Sequence, residues 1–238
     1  MFLALETATD RASVAVGRSE AQAVEMNVSG ARRHAASILV LIKTALTKAG
    51  ATLDDLTAVV VADGPGSFTG LRVGAAVAKA LVHARGLRLW TAPSLLVRAA
   101  GSGSLDTTIV AVSDALRGDI YAAAYRFGAG GIATLLPPTV SRPEDLESRL
   151  PQPTQIVGDV PPAARQALER WSGRAVVTSP LGAPEATRLL GLVGRPGGAR
   201  EITDTAEWEP EYGRPAEAQA RWEMTHGRSL PNSAGSSR

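Results

Sequence analysis

The sequence predicts an α/β fold of two related lobes, in which mixed β-sheets are flanked by helices. Strand-like hairpins alternate with segments of helical period, which indicates layers of sheet and helix. The run LTAVVVA at 56–62 is apolar throughout, as is typical of a strand buried on both faces. The segments FLALETATDRASVAV and TIVAVSDALRGDIYAAAYRF share one plan: an apolar strand, an acid, a turn and a second strand. This repetition predicts the two lobes.

The first half of the chain predicts five strands and three helices. Apolar residues spaced three and four apart predict a helix at 33–49, and Gly50 predicts its end. A second helix follows a glycine-rich loop and continues to about Ala84, before Gly86. The third helix has Pro93 in its first turn and Gly101 after its end. The strands are 2–6, 12–16, 21–28, 56–62 and 87–90.

The second half repeats the hairpin plan after a linker-like stretch at 101–108 and then gives weaker signals beyond Pro137 and Pro138. The later pieces are helices 143–150, 161–171 and 183–194 and strands 154–158 and 175–177. We expect an N-terminal lobe at 1–104, carrying the glycine loop and the interface helices. A reduced C-terminal lobe at 105–215 follows, and the polar tail at 216–238 is predicted to be disordered.

Composition and charge exclude several classes of protein. The 238 residues carry 25 Lys and Arg against 23 Asp and Glu, so the formal net charge of +2 supplies no strong field for nucleic acid. The absence of cysteine excludes disulfides, thiolate metal sites and cysteine nucleophiles. No apolar run approaches the ~18–20 residues that span a membrane. The first residues also lack the pattern of a signal peptide. We expect a protein of the reducing cytoplasm.

Four glycines, Gly64, Gly66, Gly70 and Gly74, follow the apolar run at 56–62. A phosphate-binding P-loop places Gly-Lys-Ser/Thr at its end, whereas Leu71 follows Gly70 here. The dinucleotide fingerprint is G-x-G-x-x-G after the first strand of the fold. This loop has G-x-G-x-x-x-G and comes later in the chain. Neither phosphate-binding motif fits.

The remaining interpretation is a tight turn from strand to helix. Gly64 and Gly66 allow unusual dihedral angles, and Ser67 or Thr69 can cap the helix. The glycines and alanines after Gly70 leave a slim helix surface that another backbone can approach closely. Close packing is the interpretation that we favour, and contact with a phosphate at the helix N-terminus is the alternative.

The segment GPGSFTGLRVGAAVAKAL, preceded by LTAVVVAD and by the chain start LALETATDRASVAV, resembles the bacterial TsaB (YeaZ) family. Further pieces follow in the family's order: RRHAASILVLIKTALTKAG, SDALRGDIYAAAY and the closing EPEYGRP. The resemblance runs from about residue 1 to 215. It implies the two-lobed actin-like fold of sugar kinases, Hsp70 and actin, which agrees with the repeated hairpin.

The resemblance also implies a function. The family takes part in making N6-threonylcarbamoyladenosine beside the anticodon of tRNAs that read codons starting with A. Its members pair with the catalytic subunit TsaD and are joined by the ATPase TsaE. The chain is thus expected to be a non-catalytic partner subunit that forms a homodimer when alone. It is expected to bind no cofactor tightly, while the assembled complex uses ATP and ADP and holds the tRNA.

The resemblance marks a possible vestigial phosphate or nucleotide loop. Its residues are Glu6, Thr7, Gly64, Gly66, Ser67, Thr69, Gly70 and Asp114. Glu6 stands where the family usually has Asp, so we favour a structural or capping role for it, and a turn-stabilising role for Asp114. No catalytic or metal-binding residue is expected. The catalytic relative's H-x-x-x-H pair has no counterpart, because His34, His83 and His226 are far apart in sequence.

The first two long helices carry the predicted partner interface, since the first has an apolar stripe wider than one core face needs and the second is lined with Ala and Gly. Its residues are Arg33, Ser37, Val40, Leu41, Thr44, Arg72, Ala75, Ala76 and Lys79. Two other functions stay open at this point. A free-standing actin-like ATPase or kinase would need a second phosphate loop, and a metallopeptidase would need paired metal ligands.

Overall fold

The computed structural model describes residues 1–30 and 34–213. Its strands are β1 (Phe2–Glu6), β2 (Arg11–Gly17), β3 (Val24–Ser29), β4 (Ala58–Ala62), β5 (Arg88–Ala92), β6 (Thr107–Asp114), β7 (Ile120–Gly128), β8 (Gly131–Ser141), β9 (Gln155–Asp159) and β10 (Arg200–Ile202). Its α-helices are α1 (His34–Lys48), α2 (Phe68–Arg85), α3 (Ser94–Ala100), α4 (Leu146–Arg149), α5 (Pro162–Ser172) and α6 (Ala186–Leu192). No helix in this described part is both long and apolar enough to cross a membrane.

The strands form two mixed sheets of the same design. The first has the order β10-β5-β4-β1-β2-β3 and the second the order β8-β7-β6-β9. In the first sheet β1 is antiparallel to β2 and parallel to β4. In the second, β6 is antiparallel to β7 and parallel to β9. The repeated hairpin seen in the sequence is therefore a repeated sheet topology, and the predicted α/β class is confirmed.

Alternate residues of each central strand enter different cores, as the period of two requires. Leu3 and Leu5 of β1 pack with α1 and α2, whereas Ala4 faces the other side. That other side is a core shared by both sheets, in which α3 and α6 lie between them. The outer face of the second sheet is covered by α4 and α5. Strand β4 is buried along its whole length for this reason.

Several observed elements differ from the sequence predictions. Strand β8 was not expected, because it contains Pro137 and Pro138. It lies at the edge of its sheet, where a missing N–H is tolerated. The predicted helix 143–150 is a 3₁₀ turn followed by the single turn of α4. The predicted strand 175–177 makes only the bridge between Val157 and Val177.

Strand β10 was also missed, and it returns the chain to the first sheet by pairing with β5. The proposed division into lobes at 1–104 and 105–215 stays a prediction, with this strand as a late contribution to the first sheet. The tail at 216–238 lies outside the described residues.

Candidate functional site

The glycine-rich loop turns strand β4 sharply into helix α2. Gly64 has a positive φ of 111°, a conformation that side-chain-bearing residues rarely adopt. Ser67 is the N-cap of α2, and its hydroxyl accepts a hydrogen bond from the N–H of Gly70 at 3.3 Å. Ser67 thus takes the capping role for which Thr69 was the alternative, and Thr69 lies exposed in the first turn.

Three of the glycines bring this loop against the turn between β1 and β2. A Cβ on Gly66 would overlap the carbonyl oxygen of Ala8, and one on Gly70 would overlap that of Thr7. A Cβ on Gly74 would lie 2.5 Å from the Thr7 hydroxyl oxygen. The N–H of Ser67 donates to the Ala8 carbonyl at 2.7 Å. The slim surface of α2 therefore serves close packing within the chain.

A cleft of about 1330 Å³ opens where the turns after β1 and β6 face each other. Gly66, Ser67 and Asp114 line it. Glu6, Thr7, Gly64 and Gly70 are buried behind its wall. Its volume exceeds that of typical small-molecule pockets, which is about 300–1,000 Å³. The predicted loop residues thus lie in one region of the structure, but only three of them line the cleft.

Several backbone N–H groups of the two turns are bound by neighbouring groups of the same chain. The N–H of Ala8 donates to Glu6 Oε1 at 2.7 Å. That of Arg11 donates to the Thr9 hydroxyl at 3.2 Å. In the second turn, the N–H of Leu116 donates to Asp114 Oδ1 at 2.8 Å. A phosphate cradle needs such donors free. Glu6 and Asp114 act here as turn-stabilising carboxyls.

Glu6 is fully buried, and its surroundings change the pKa of its carboxyl group. Burial raises its pKa to about 7, against the lowering effects of the Ala8 hydrogen bond and of the Arg98 and Arg11 charges. Its second oxygen, Oε2, finds no hydrogen-bond partner among the described residues. The carboxyl is therefore largely protonated in mildly acidic solution.

Arg98 is a cleft residue that the sequence analysis missed. Its side chain is 3% exposed and donates to the Gly182 carbonyl at 2.7 Å and to Asp159 Oδ2 at 3.0 Å. Ser179 donates its N–H and its hydroxyl to Asp159 as well. Burial acts to raise the pKa of Asp159, but these hydrogen bonds and the Arg98 charge together lower it. A lone arginine in the apolar helix PSLLVRAAG was the available sequence signal.

Charge in the cleft is balanced by pairing. Arg11 pairs with Glu25 at 3.2 Å and lies 3.9 Å from Glu185, while Arg98 is held by Asp159. The charged lining residues are Arg11, Arg98, Arg117, Asp10, Asp114, Asp159 and Glu185. Four carboxyls against three guanidinium groups give no surplus of positive charge for a polyphosphate.

The predicted interface residues divide into exposed and buried ones. Val40 is 62% exposed on α1, beside Leu39 at 64%, which the sequence analysis did not include. Ala76 is exposed on α2. Leu41 and Ala75 are buried in the core between the helices and the first sheet, which leaves little of either side chain for a partner, and their place in the interface stays a prediction. An apolar helix stripe does not by itself separate a core face from a partner face.

The remaining predicted interface residues vary in their surroundings. Ser37 and Thr44 are half-buried, and Arg33 lies outside the described residues. Arg72 and Lys79 are engaged by the segment 204–213 of the same chain, which we call the C-terminal strap. The Arg72 guanidinium lies 4.1 Å from the Phe68 ring centre and 5.8 Å from that of Tyr212. Lys79 Nζ contacts Glu209 Oε1 at 3.3 Å.

Comparison with known proteins gives a consistent set of relatives. The family model described as TsaD, tRNA N6-adenosine threonylcarbamoyltransferase, matches residues 28–172, which is more than half of the chain. The Bacillus subtilis tRNA threonylcarbamoyladenosine biosynthesis protein TsaB is 27% identical over 93% of this chain and 97% of its own length. The Escherichia coli TsaB is 32% identical over 55% of this chain and 57% of its own.

Solved structures agree with these sequence relatives. YeaZ from Pseudomonas aeruginosa superposes with a TM-score of 0.70 at 26% identity, over 89% of this chain and 98% of that one. A second structure, described as an uncharacterized protein with similarity to peptidase YEAZ from the same organism, has a TM-score of 0.71 at 26% identity. It covers 90% of this chain and 99% of its own.

Proposed function

Because the chain belongs to the bacterial TsaB (YeaZ) family, we propose that it is a non-catalytic subunit in the synthesis of N6-threonylcarbamoyladenosine in tRNA. It docks on a TsaD-type catalytic subunit, and a TsaE-type ATPase joins the pair in the cytoplasm. The free chain forms a homodimer through the same helices. ATP and tRNA are used by the assembled complex.

The observation that carries the non-catalytic assignment is the state of the cleft. Its two turns resemble the places where an actin-like enzyme would hold phosphates, yet three of their N–H groups, those of Ala8, Arg11 and Leu116, are bound by side chains of the same turns. Nη1 of the buried Arg98 donates to Asp159 and to the Gly182 carbonyl. Binding a nucleotide phosphate here would require breaking these bonds. The cleft therefore favours the interpretation of a feature inherited from a nucleotide-binding ancestor over that of a working active site.

The two alternative functions receive no support from the site. An ATPase or kinase would need N–H donors in these turns, and those of Ala8, Arg11 and Leu116 already donate within the chain. A metallopeptidase would need clustered ligands, and residues 1–30 and 34–213 hold no group of three or more His, Cys, Asp or Glu side chains suited to a metal ion.

The docking surface is the exposed ridge of the two long helices. Leu39 and Val40 expose most of their apolar side chains on α1, and Ala76 is exposed on neighbouring α2. Adjacent exposed large apolar residues are typical of a surface that a partner covers. A helix of the partner packed here would bury both side chains.

Omission from a reconstituted reaction tests the proposed role. With a TsaD-type subunit, a TsaE-type ATPase, ATP, threonylcarbamoyl-adenylate and tRNA, we expect transfer to tRNA only when this chain is present. The chain as the only protein is expected to give no transfer. Undiminished transfer without the chain would refute the subunit role, and transfer by the chain alone would refute the non-catalytic assignment.

Replacing Val40 with glutamate is expected to weaken the complex with the TsaD-type subunit at least tenfold. A charge placed in a desolvated apolar contact lacks a partner there. The matched control is Leu105→Glu, because Leu105 is 65% exposed and belongs to the loop between α3 and β6 instead of to either long helix. Calorimetric titration of each variant measures the affinity, and circular dichroism confirms the fold. Equal affinities for the two variants would contradict the proposed surface.

A further inference from the structure

The C-terminal strap lies across the start of helix α2 without forming a helix or strand of its own. Trp208 is its anchor, since its side chain is 7% exposed and belongs to the core under α1 and α2. Lys79 Nζ donates to the Ala206 carbonyl at 3.2 Å, and the ring centres of Tyr212 and Phe68 lie 4.7 Å apart. The strap therefore contacts the Arg72 and Lys79 side of α2.

The strap is also attached to the glycine loop. The N–H of Glu211 donates to the Asp63 carbonyl at 2.7 Å. The carbonyl of Glu211 occupies the space that a Cβ on Gly64 would take. The Tyr121 hydroxyl, from the second sheet, donates to the Tyr212 carbonyl at 3.4 Å. Opening the strap means breaking these two hydrogen bonds and withdrawing Trp208 from the core.

Asp63 lies beneath this attachment as a buried acid with one cationic partner. Its side chain is 3% exposed, and Oδ2 accepts a hydrogen bond from Arg200 at 3.2 Å, while the Arg200 side chain is 57% exposed. The other groups that act on it are Thr91 of β5 and Glu211 of the strap, and Asp63 in turn acts on Glu6 of β1 and Tyr125 of β7. Three of these neighbours, Glu211, Glu6 and Tyr125, are acids or a phenol. They offer no positive charge that would stabilise the ionised Asp63 carboxylate.

We propose that the C-terminal strap is a releasable cover on helix α2, and that the protonation state of Asp63 controls how firmly it is held. The docked strap shields Asp63 from water and so favours its neutral form. Opening admits water, which favours the carboxylate. Proton uptake therefore closes the strap and proton loss releases it. Release uncovers Lys79 and the ring of Phe68 beside Arg72, which is exposed already, and so completes a cationic and aromatic face. This inference does not depend on the proposed function.

The direction and size of the effect follow from the titration of Asp63. Burial raises its pKa from 3.8 to about 6, and Arg200 offsets this only partly. If the open state restores the ordinary value, the equilibrium constant for docking falls about tenfold between pH 5 and pH 8. The strap is thus held more tightly in acid. A contact that depends on an ionised surface carboxylate would instead weaken in acid.

Hydrogen exchange of the full chain, followed by mass spectrometry from pH 5 to pH 8, tests the proposal. Protection of peptides from 204–213, corrected for the intrinsic exchange rate at each pH, is expected to fall about tenfold. Peptides from β6 serve as the internal reference. In Asp63→Asn the protection is expected to stay within twofold across the range. Flat protection in the wild type would overturn the proposal, as would an unchanged response in Asp63→Asn.

A second variant keeps the test decisive if Asp63→Asn fails to fold. Arg200→Ala changes a largely exposed side chain and removes the cation that lowers the Asp63 pKa. The pH midpoint of strap release is then expected to move upward. A midpoint that stays fixed or moves downward would overturn the role of Asp63.

Discussion

Gly70→Ala is expected to destabilise the protein by about 2–3 kcal/mol, although alanine is the better helix former by about 1 kcal/mol. The added Cβ would overlap the carbonyl oxygen of Thr7, which belongs to the backbone of a buried turn. Either helix α2 or the turn must move, and both are packed in the core of the first sheet. Urea unfolding followed by circular dichroism measures the change.

A second glycine provides the control for this substitution. A Cβ on Gly130, in the turn between β7 and β8, would meet no atom within 4 Å, and Gly130 lacks a positive φ. Gly130→Ala is expected to change the free energy of unfolding by no more than about 0.5 kcal/mol. If both variants were equally stable, the close contact between the glycine loop and the first turn would be refuted.

Glu6→Gln is expected to stabilise the protein at pH 8 by about 3 kcal/mol and to change little at pH 4. The folded-state pKa of Glu6 is about 7, above its ordinary value of 4.5. The folded protein thus holds a proton that the unfolded chain releases, so stability falls as pH rises from about 4.5 to about 7. Glutamine keeps the oxygen that accepts from Ala8 and removes the ionisation.

The pH dependence separates this effect from a packing effect. Unfolding free energies of wild type and variant, measured from pH 4 to pH 8, should diverge as pH rises and then run parallel above pH 7. A constant offset would point to packing alone. A less stable variant at pH 8 would mean that ionised Glu6 has a partner that its surroundings do not suggest.

The fold was largely predictable because its signals are local. The repeated hairpin and the apolar run at 56–62 predicted both sheet centres, and β4 is buried at every residue. Strand β8 was missed because Pro137 and Pro138 suggest a break, and only its edge position explains them. Strand β10 has three residues and depends on pairing with a distant strand.

The candidate site was less predictable because it depends on tertiary contacts. The sequence placed Glu6 and Asp114 at equivalent strand ends and favoured capping or turn-stabilising roles, but it did not identify Ala8 and Leu116 as the residues whose N–H groups they accept from. Arg98 and Asp63 gained their surroundings from residues far along the chain. Arg72 and Lys79 were interpreted as partner contacts, since nothing local indicated that the strap would contact them.

The return of the chain to the first sheet has a consequence for synthesis on the ribosome. One edge of strand β5 stays unpaired until β10 has been synthesised, almost half a chain later. Trp208, which anchors the strap, is synthesised after β10. Helix α6, which fills the core between the sheets, is also made late. During translation the first lobe therefore emerges with an unpaired strand edge and an uncovered apolar face. A nascent chain stalled before residue 186 would expose these surfaces to chaperones. The native fold is completed only when nearly all of the described residues have left the exit tunnel.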